Sequence, residues 1–288
     1  MHYSRELTKF AQYFDNMKKR LFIPVLAVFL LASCGEYNKL AKSTDYEYKY
    51  EAAKEYFAEG SFSKSSVLLE ELITFMKGTD KAQESLYMLA MSYYNDGDYQ
   101  SASTTFNTYV STYPRGTYAE YARFYSGKAL YRDTPEARLD QTSTSNAIQT
   151  LQNFMEFYPN SQLKGQAQEM IYALQDKLVE KEYISAKQYY DMGDYFGNCA
   201  YGGNNYQAAI ITAQNALKDY PYSKYREDLS LLVLRSKYNM ARQSVDTKIA
   251  ERFRDAIDEY YGFKNEFPES KHLKEAQKIF DESNKKVK

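Results

Sequence analysis

Residues 83–116 read QESLYMLAMSYYNDGDYQSASTTFNTYVSTYPRG. Leu86, Leu89, Ala90 and Tyr93 fall at i, i+3, i+4 and i+7, the spacing of one helix face. Gly97 interrupts, and then Ala102, Phe106 and Tyr109 mark the face of a second helix. Pro114 closes it, because a proline lacks an N–H and its predecessor avoids helical angles. The second half of this pattern recurs along the chain. Aromatic-proline pairs stand at Tyr113-Pro114, Tyr158-Pro159, Tyr220-Pro221 and Phe267-Pro268. Twelve residues before the prolines are Ala102, Ala147, Ala209 and Ala256. Four further on come Phe106, Leu151, Ala213 and Tyr260, then Tyr109, Phe154, Ala216 and Phe263. Two residues past each proline is a small one: Gly116, Ser161, Ser223 or Ser270. Each alanine admits a neighbouring helix closely, and the serines can cap the next helix by accepting an orphan N–H.

This helix-turn-helix period resembles the tetratricopeptide repeat. An earlier copy carries Ala53, Tyr56, Gly60, Ser66 and Leu69, with Gly78 in the place of the proline. A third has Gly127 and Leu130 in its first helix, then a polar insertion from Arg132 to Ser145. The fourth runs without Pro or Gly from Gln166 to Met192, long enough for a helix of roughly 40 Å at 1.5 Å per residue. Ala167, Ile171, Leu174 and Leu178 give it an apolar stripe, and the Gly- and Asn-rich stretch from Gly197 to Asn205 follows. The expected fold is all-α, a solenoid of about five helix pairs, since one repeat cannot bury its apolar face alone. The expected organisation is three repeats over 46–160, two repeats with the long linking helix over 161–270, and a capping helix over 271–288.

The N-terminus reads as an address. Met17-Lys18-Lys19-Arg20 precedes an uncharged run from Leu21 to Leu31. Eleven residues are too few to span a bilayer, which takes about 20, but suit the apolar core of a secretory signal. Leu31-Ala32-Ser33-Cys34-Gly35 resembles a bacterial lipobox, which implies signal cleavage after residue 33 and diacylglycerol on the Cys34 thiol. Residues 1–16 read as an upstream extension, with Met17 the expected start. Gly35, rather than an aspartate, implies sorting to the outer membrane. Residues 34–45 read as a tether.

Composition narrows the function. The formal net charge is −1; residues 1–33 hold five basic and two acidic side chains, leaving 32 against 36 beyond them. A general nucleic-acid binder needs a basic excess. Two cysteines and two histidines, widely separated, assemble no metal site and no catalytic nucleophile. Cys199 has no partner once Cys34 is acylated. Paired acids such as Glu70-Glu71 and Asp258-Glu259 fall on amphipathic helices, and Gly202-Gly203 lacks the context of a phosphate loop. Neither an enzyme nor a cofactor is expected.

In a solenoid of the tetratricopeptide type the first helix of each pair lines the concave face. By that alignment the first three copies present Tyr50, Lys54, Phe57, Tyr87, Met91, Tyr94, Tyr121, Phe124, Lys128 and Tyr131. Thirty-one tyrosines and no tryptophan suit such a surface. Aromatics supply desolvated contact and lysines a charge partner for a peptide carboxylate. The alternative for each ring is packing between helices.

Lipobox, five repeats and a long fourth-repeat helix, with Phe157 to Gln162, Lys181 to Ala186, Tyr189-Tyr190 and Asp219-Tyr220-Pro221, resemble the BamD family of outer-membrane assembly lipoproteins. The resemblance implies a periplasmic lipoprotein on the outer membrane. Its partners would be BamA, through its POTRA domains, the other lipoproteins of that complex, and unfolded β-barrel proteins received by the N-terminal repeats. Copies four and five, including Asp219 to Arg226, would face BamA. Other repeat lipoproteins stay open: a SusD-like glycan-binding component, or a coordinator of cell-wall synthesis.

Overall fold

The computed structural model describes residues 37–194 and 204–287. Signal, lipobox, Cys34 and Cys199 lie outside the described residues. Those described form helices joined by turns: α1 (Tyr46–Ala58), α2 (Phe62–Phe75), α3 (Asp80–Asp96), α4 (Tyr99–Thr112), α5 (Ala119–Asp133), α6 (Thr142–Phe157), α7 (Lys164–Asp191), α8 (Asn205–Asp219), α9 (Arg226–Arg242), α10 (Asp246–Glu266) and α11 (Leu273–Val287). They make five successive helix pairs of the tetratricopeptide type with α11 as cap. Two compact units divide the chain, Met1–Thr105 and Phe106–Lys288, the division falling inside α4.

In the first unit α1 packs on α2 and α2 on α3. Asp45 and Thr79 cap α1 and α3 by accepting the amides of Tyr48 and Ala82. Gly60, Gly78 and Gly97 all take left-handed φ, between 79° and 89°, where a side chain would be strained. Ala53, Leu68, Leu69 and Leu72 form the centre of the core. Residues 37–41, within the stretch expected as tether, are helical and bury Leu40 against that core.

The second unit stacks α5 to α11 in order. Every repeat alanine, Ala102, Ala147, Ala209 and Ala256, is fully buried, and so are the apolar residues four and seven beyond it. All four aromatic-proline turns share one hydrogen-bond pattern. The aromatic amide donates to the carbonyl four residues back, at 2.7–3.0 Å. The small residue's amide donates to the aromatic's carbonyl, at 2.9–3.2 Å, and its own carbonyl accepts from three residues on, at 3.0–3.2 Å. Proline thus ends one helix, and the turn restarts the next without an extra residue.

Gly127 allows a close helix approach: a Cβ there would lie 2.7 Å from Leu151 Cδ2. Helix α7, 28 residues long, bridges two apolar clusters. Ala167, Ile171 and Leu174 belong to one, Val179 and Ala186 to the other. The sequence stripe ended on Leu178; Val179 is the buried residue, since the buried face turns as α7 passes from α6 to α8. The length of α7 also fixes the insertion. Lys177 Nζ donates to Thr134 Oγ1 at 2.6 Å and Lys181 Nζ to the Leu139 carbonyl at 3.0 Å. Burial pulls the Lys177 ammonium below its ordinary pKa. Gln141 holds the loop internally, donating to the Glu136 carbonyl at 2.8 Å.

Candidate functional site

In the first unit, α1 carries Tyr50, Lys54 and Phe57 at i, i+4 and i+7, and α3 carries Tyr87, Met91 and Tyr94 at the same spacing. Tyr50 does not line a surface: it is 2% exposed. Its hydroxyl donates to Glu84 on α3 at 2.6 Å, and the ammonium groups of Lys54 and Lys81 each lie 5.1 Å from its ring centre. The ring fills the junction of two first helices, where a phenol can bury its body and keep a partner for its tip. Lys54, Phe57, Tyr87, Met91 and Tyr94 are half-buried. Phe57 meets Phe62 edge-on at 5.5 Å and Tyr94 meets Tyr99 at 5.6 Å, so both rings are braced at one edge.

In the second unit the expected row divides in the same way. Phe124 is 1% exposed and packs edge-on against Phe154 at 5.4 Å; it belongs to the core. Lys128 lies 5.2 Å from the Tyr125 ring, and Tyr131 is half-buried against the same apolar cluster. Tyr121 is about half exposed and opens onto a cleft of about 600 Å³ with Phe157, Tyr158 and Pro159. Phe157 is 63% exposed, and the Arg123 guanidinium carbon stands 3.9 Å from its ring centre. Sequence reasoning passed over this pair. Its one signal was an aromatic two residues before a proline, beyond the buried +7 position.

The serine turns carry a further feature. Ser161, Ser223 and Ser270 each accept the amide two residues on, Leu163, Tyr225 and His272, at 3.0–3.2 Å. The residues that immediately precede α7 and α9 supply no side-chain cap, so the serine stabilises the turn leading into the helix, not the helix terminus expected from sequence. Each serine hydroxyl also donates to an acid on the first helix of its own repeat: Glu120 at 2.5 Å, Asp176 at 2.7 Å and Glu227 at 2.6 Å. These clamps fix the edge of the last three repeats.

At the C-terminal end, α7, α9 and α11 enclose a cleft of about 460 Å³ lined by Tyr190, Arg235, Tyr238, Arg242 and Lys278 among others. Arg235 grips Glu275 with two bonds, at 2.6 and 2.7 Å. That bond, opposed by burial, holds the Glu275 carboxyl below its ordinary value. Among the described residues no group of three or more His, Cys, Asp or Glu side chains is placed to hold a metal, and no helix is long and apolar enough to cross a membrane.

Paired helices, buried repeat alanines and part-exposed aromatic faces define a tetratricopeptide-type repeat protein. The family described as YfiO, outer membrane lipoprotein, matches residues 43–200, and the chain belongs to that family. Two curated relatives are both described as outer membrane protein assembly factor BamD. The outer membrane protein assembly factor BamD of Neisseria meningitidis serogroup B is 23% identical over 273 residues, covering 89% of this chain and 94% of the relative. That of Caulobacter vibrioides is 20% identical over 178 residues, covering 59% and 58%. Among solved structures, a protein described as a Podosopora anserina putative kinesin light chain with nearly identical TPR-like repeats aligns with 77% of this chain and 95% of its own. Identity is 12% and the TM-score 0.31, too loose a likeness to carry an argument.

Proposed function

We propose that this chain is a non-enzymatic lipoprotein of the machinery that assembles β-barrel proteins into the outer membrane. It is anchored through Cys34 on the periplasmic face. The observation that carries this reading is the end-to-end match to a BamD relative, 89% of one chain against 94% of the other. In this reading the first helices of copies one to three receive the barrel substrate. Lys54, Phe57, Tyr87, Met91 and Tyr94 serve in the first unit, and Tyr121, Lys128 and Tyr131 in the second. Copies four and five hold BamA through its POTRA domains. The half-exposed rings support this, because they offer apolar contact without collapsing into the core.

The decisive experiment is purification of the tagged full chain from outer membranes in mild detergent. Co-purification of a BamA-type barrel protein is the expected result. Recovery of glycan-transport proteins in its place would overturn the assignment. Phe57→Ala and Tyr94→Ala are expected to weaken binding of an aromatic-ended barrel peptide without loss of helicity; unchanged affinity in both would remove the groove. Cys34→Ala is expected to release the protein from membranes, since acyl chains contribute roughly 0.8 kcal/mol per buried CH₂. Retention of that variant would exclude the anchor.

A further inference from the structure

The turn between α8 and α9 exposes chemistry that the packing does not use. Pro221 ends α8 and the turn leaves Tyr222 92% exposed. Tyr172, on α7, is 54% exposed beside it. Both rings line a cleft of about 270 Å³ with Gln175, Asp219 and Tyr220. Asp176, at the edge of the cleft, is already engaged: it accepts from the Ser223 hydroxyl and the Lys224 amide, and the Lys224 ammonium lies 4.0 Å away. The Asp219 side chain is exposed and makes no hydrogen bond or ion pair among the described residues. Nor does any cation or second ring of the described residues cover Tyr172 or Tyr222.

The preceding repeat shows what chemistry such a place takes. The cleft beside the Tyr158-Pro159 turn is built likewise, from a serine-clamped acid, exposed rings and an aromatic-proline turn. There the chain supplies its own cation: Arg123, three residues after the clamp acid Glu120, stacks on Phe157 at 3.9 Å. Three residues after the corresponding clamp acid, Asp176, stands Val179, which is fully buried. The second cleft therefore keeps exposed rings and gains a carboxylate at Asp219, but has no arginine of its own at that position.

We propose that the Tyr172–Asp219–Tyr222 cleft receives an arginine side chain from a protein partner, its guanidinium stacked on an exposed tyrosine ring and paired with Asp219. Arginine suits the site better than lysine. Its planar group can lie on a ring while its edge still donates to a carboxylate, and it sheds less hydration on the way. This assignment does not depend on which complex the chain joins.

The test uses the full chain and a Gly-Ser-Gly-Arg-Gly-Ser-Gly peptide, followed by saturation transfer to the arginine side-chain protons in ligand-observed NMR. The control peptide carries citrulline, which keeps the shape and loses the charge. Asp219 and Tyr222 are both exposed, so Asp219→Asn and Tyr222→Ala leave the helices intact, as circular dichroism would verify. Transfer to the arginine peptide is expected, falling about fivefold in each variant, with none to the citrulline peptide. Equal transfer to the citrulline peptide, or unchanged transfer in both variants, would overturn the proposal.

Discussion

Among the described residues of the first unit, Lys49 is the one charged side chain sealed inside. Its side chain is 1% exposed, and its ammonium donates to Glu71 on α2 at 2.6 Å. Glu71 is 37% exposed and faces water on one side. The two partners therefore differ in what their loss costs. Glu71→Ala strands a buried cation. Breaking a buried pair in this way costs about 3–5 kcal/mol when both groups are sealed. Water reaching the vacated side lowers that to about 2–4 kcal/mol. Lys49→Met instead leaves a carboxylate that water already solvates and fills the space with an apolar chain of similar reach; the change is expected within about 1 kcal/mol of neutral. In the Lys49→Met/Glu71→Ala double variant most of the loss should return. Amide exchange by mass spectrometry, read on peptides from α1 and α2, suits this repeat unit better than one global unfolding curve. Glu71→Ala should speed exchange there roughly 30- to 700-fold, and the double variant should exchange within about tenfold of the parent. If Lys49→Met proves the more damaging single change, or the double variant shows no recovery, the pair stabilises the helices by attraction and the argument from desolvation is wrong.

The clamps should report individually. Ser223→Ala removes a donor to Asp176 and an acceptor for Tyr225, and a loss of about 1–2 kcal/mol in local protection of α8 and α9 is expected; exchange unchanged at that turn would make the clamp incidental. At high pH the tyrosines should govern stability. Burial first, then a hydrogen bond to Glu180 or Glu282, raises Tyr225 and Tyr238 from 10.0 to about 12. Between those values the unfolded chain sheds protons that the folded chain retains, so stability is level below pH 10 and falls as pH rises through the window. Tyrosinate absorbance and helicity, followed together, should show a late-ionising class that titrates with loss of helix; complete ionisation by pH 11 with the helices intact would refute this.

Much of the fold was legible because each repeat states it in local chemistry. A proline, an aromatic before it and an alanine twelve residues back specify a helix end and a close-packed face, and the four alanines are buried as that reading requires. The surface was harder to read. Tyr50 and Phe124 share the spacing of their half-exposed neighbours, yet they lie in the core. What separates them is the adjoining residue on a neighbouring helix: Glu84 takes up the Tyr50 hydroxyl, and Phe154 takes up the Phe124 face. Spacing along one helix gives a direction, and only packing between helices gives depth. Leu178 failed as a core residue for the same reason, one position short of Val179 where α7 changes neighbours.

The serine clamps show where local legibility ends. Each serine follows its proline by two residues because the turn geometry is the same every time. Its acid lies 41, 47 or 43 residues earlier, because the distance passes through a first helix and a connection whose lengths are free to vary. The insertion before α6 and the extended α7 change that separation while leaving the clamp itself unaltered. A fixed offset marks chemistry settled within one turn, whereas a variable offset with constant partners marks a contact settled by stacking. Since the clamp places the acid and the turn side by side, it also sets which side chains flank each edge cleft. Variation then falls on the unclamped positions, Arg123 with Phe157 in one repeat and Tyr172 with Asp219 and Tyr222 in the next. Adjacent repeats so differ in the side chains they present at this edge while keeping one backbone.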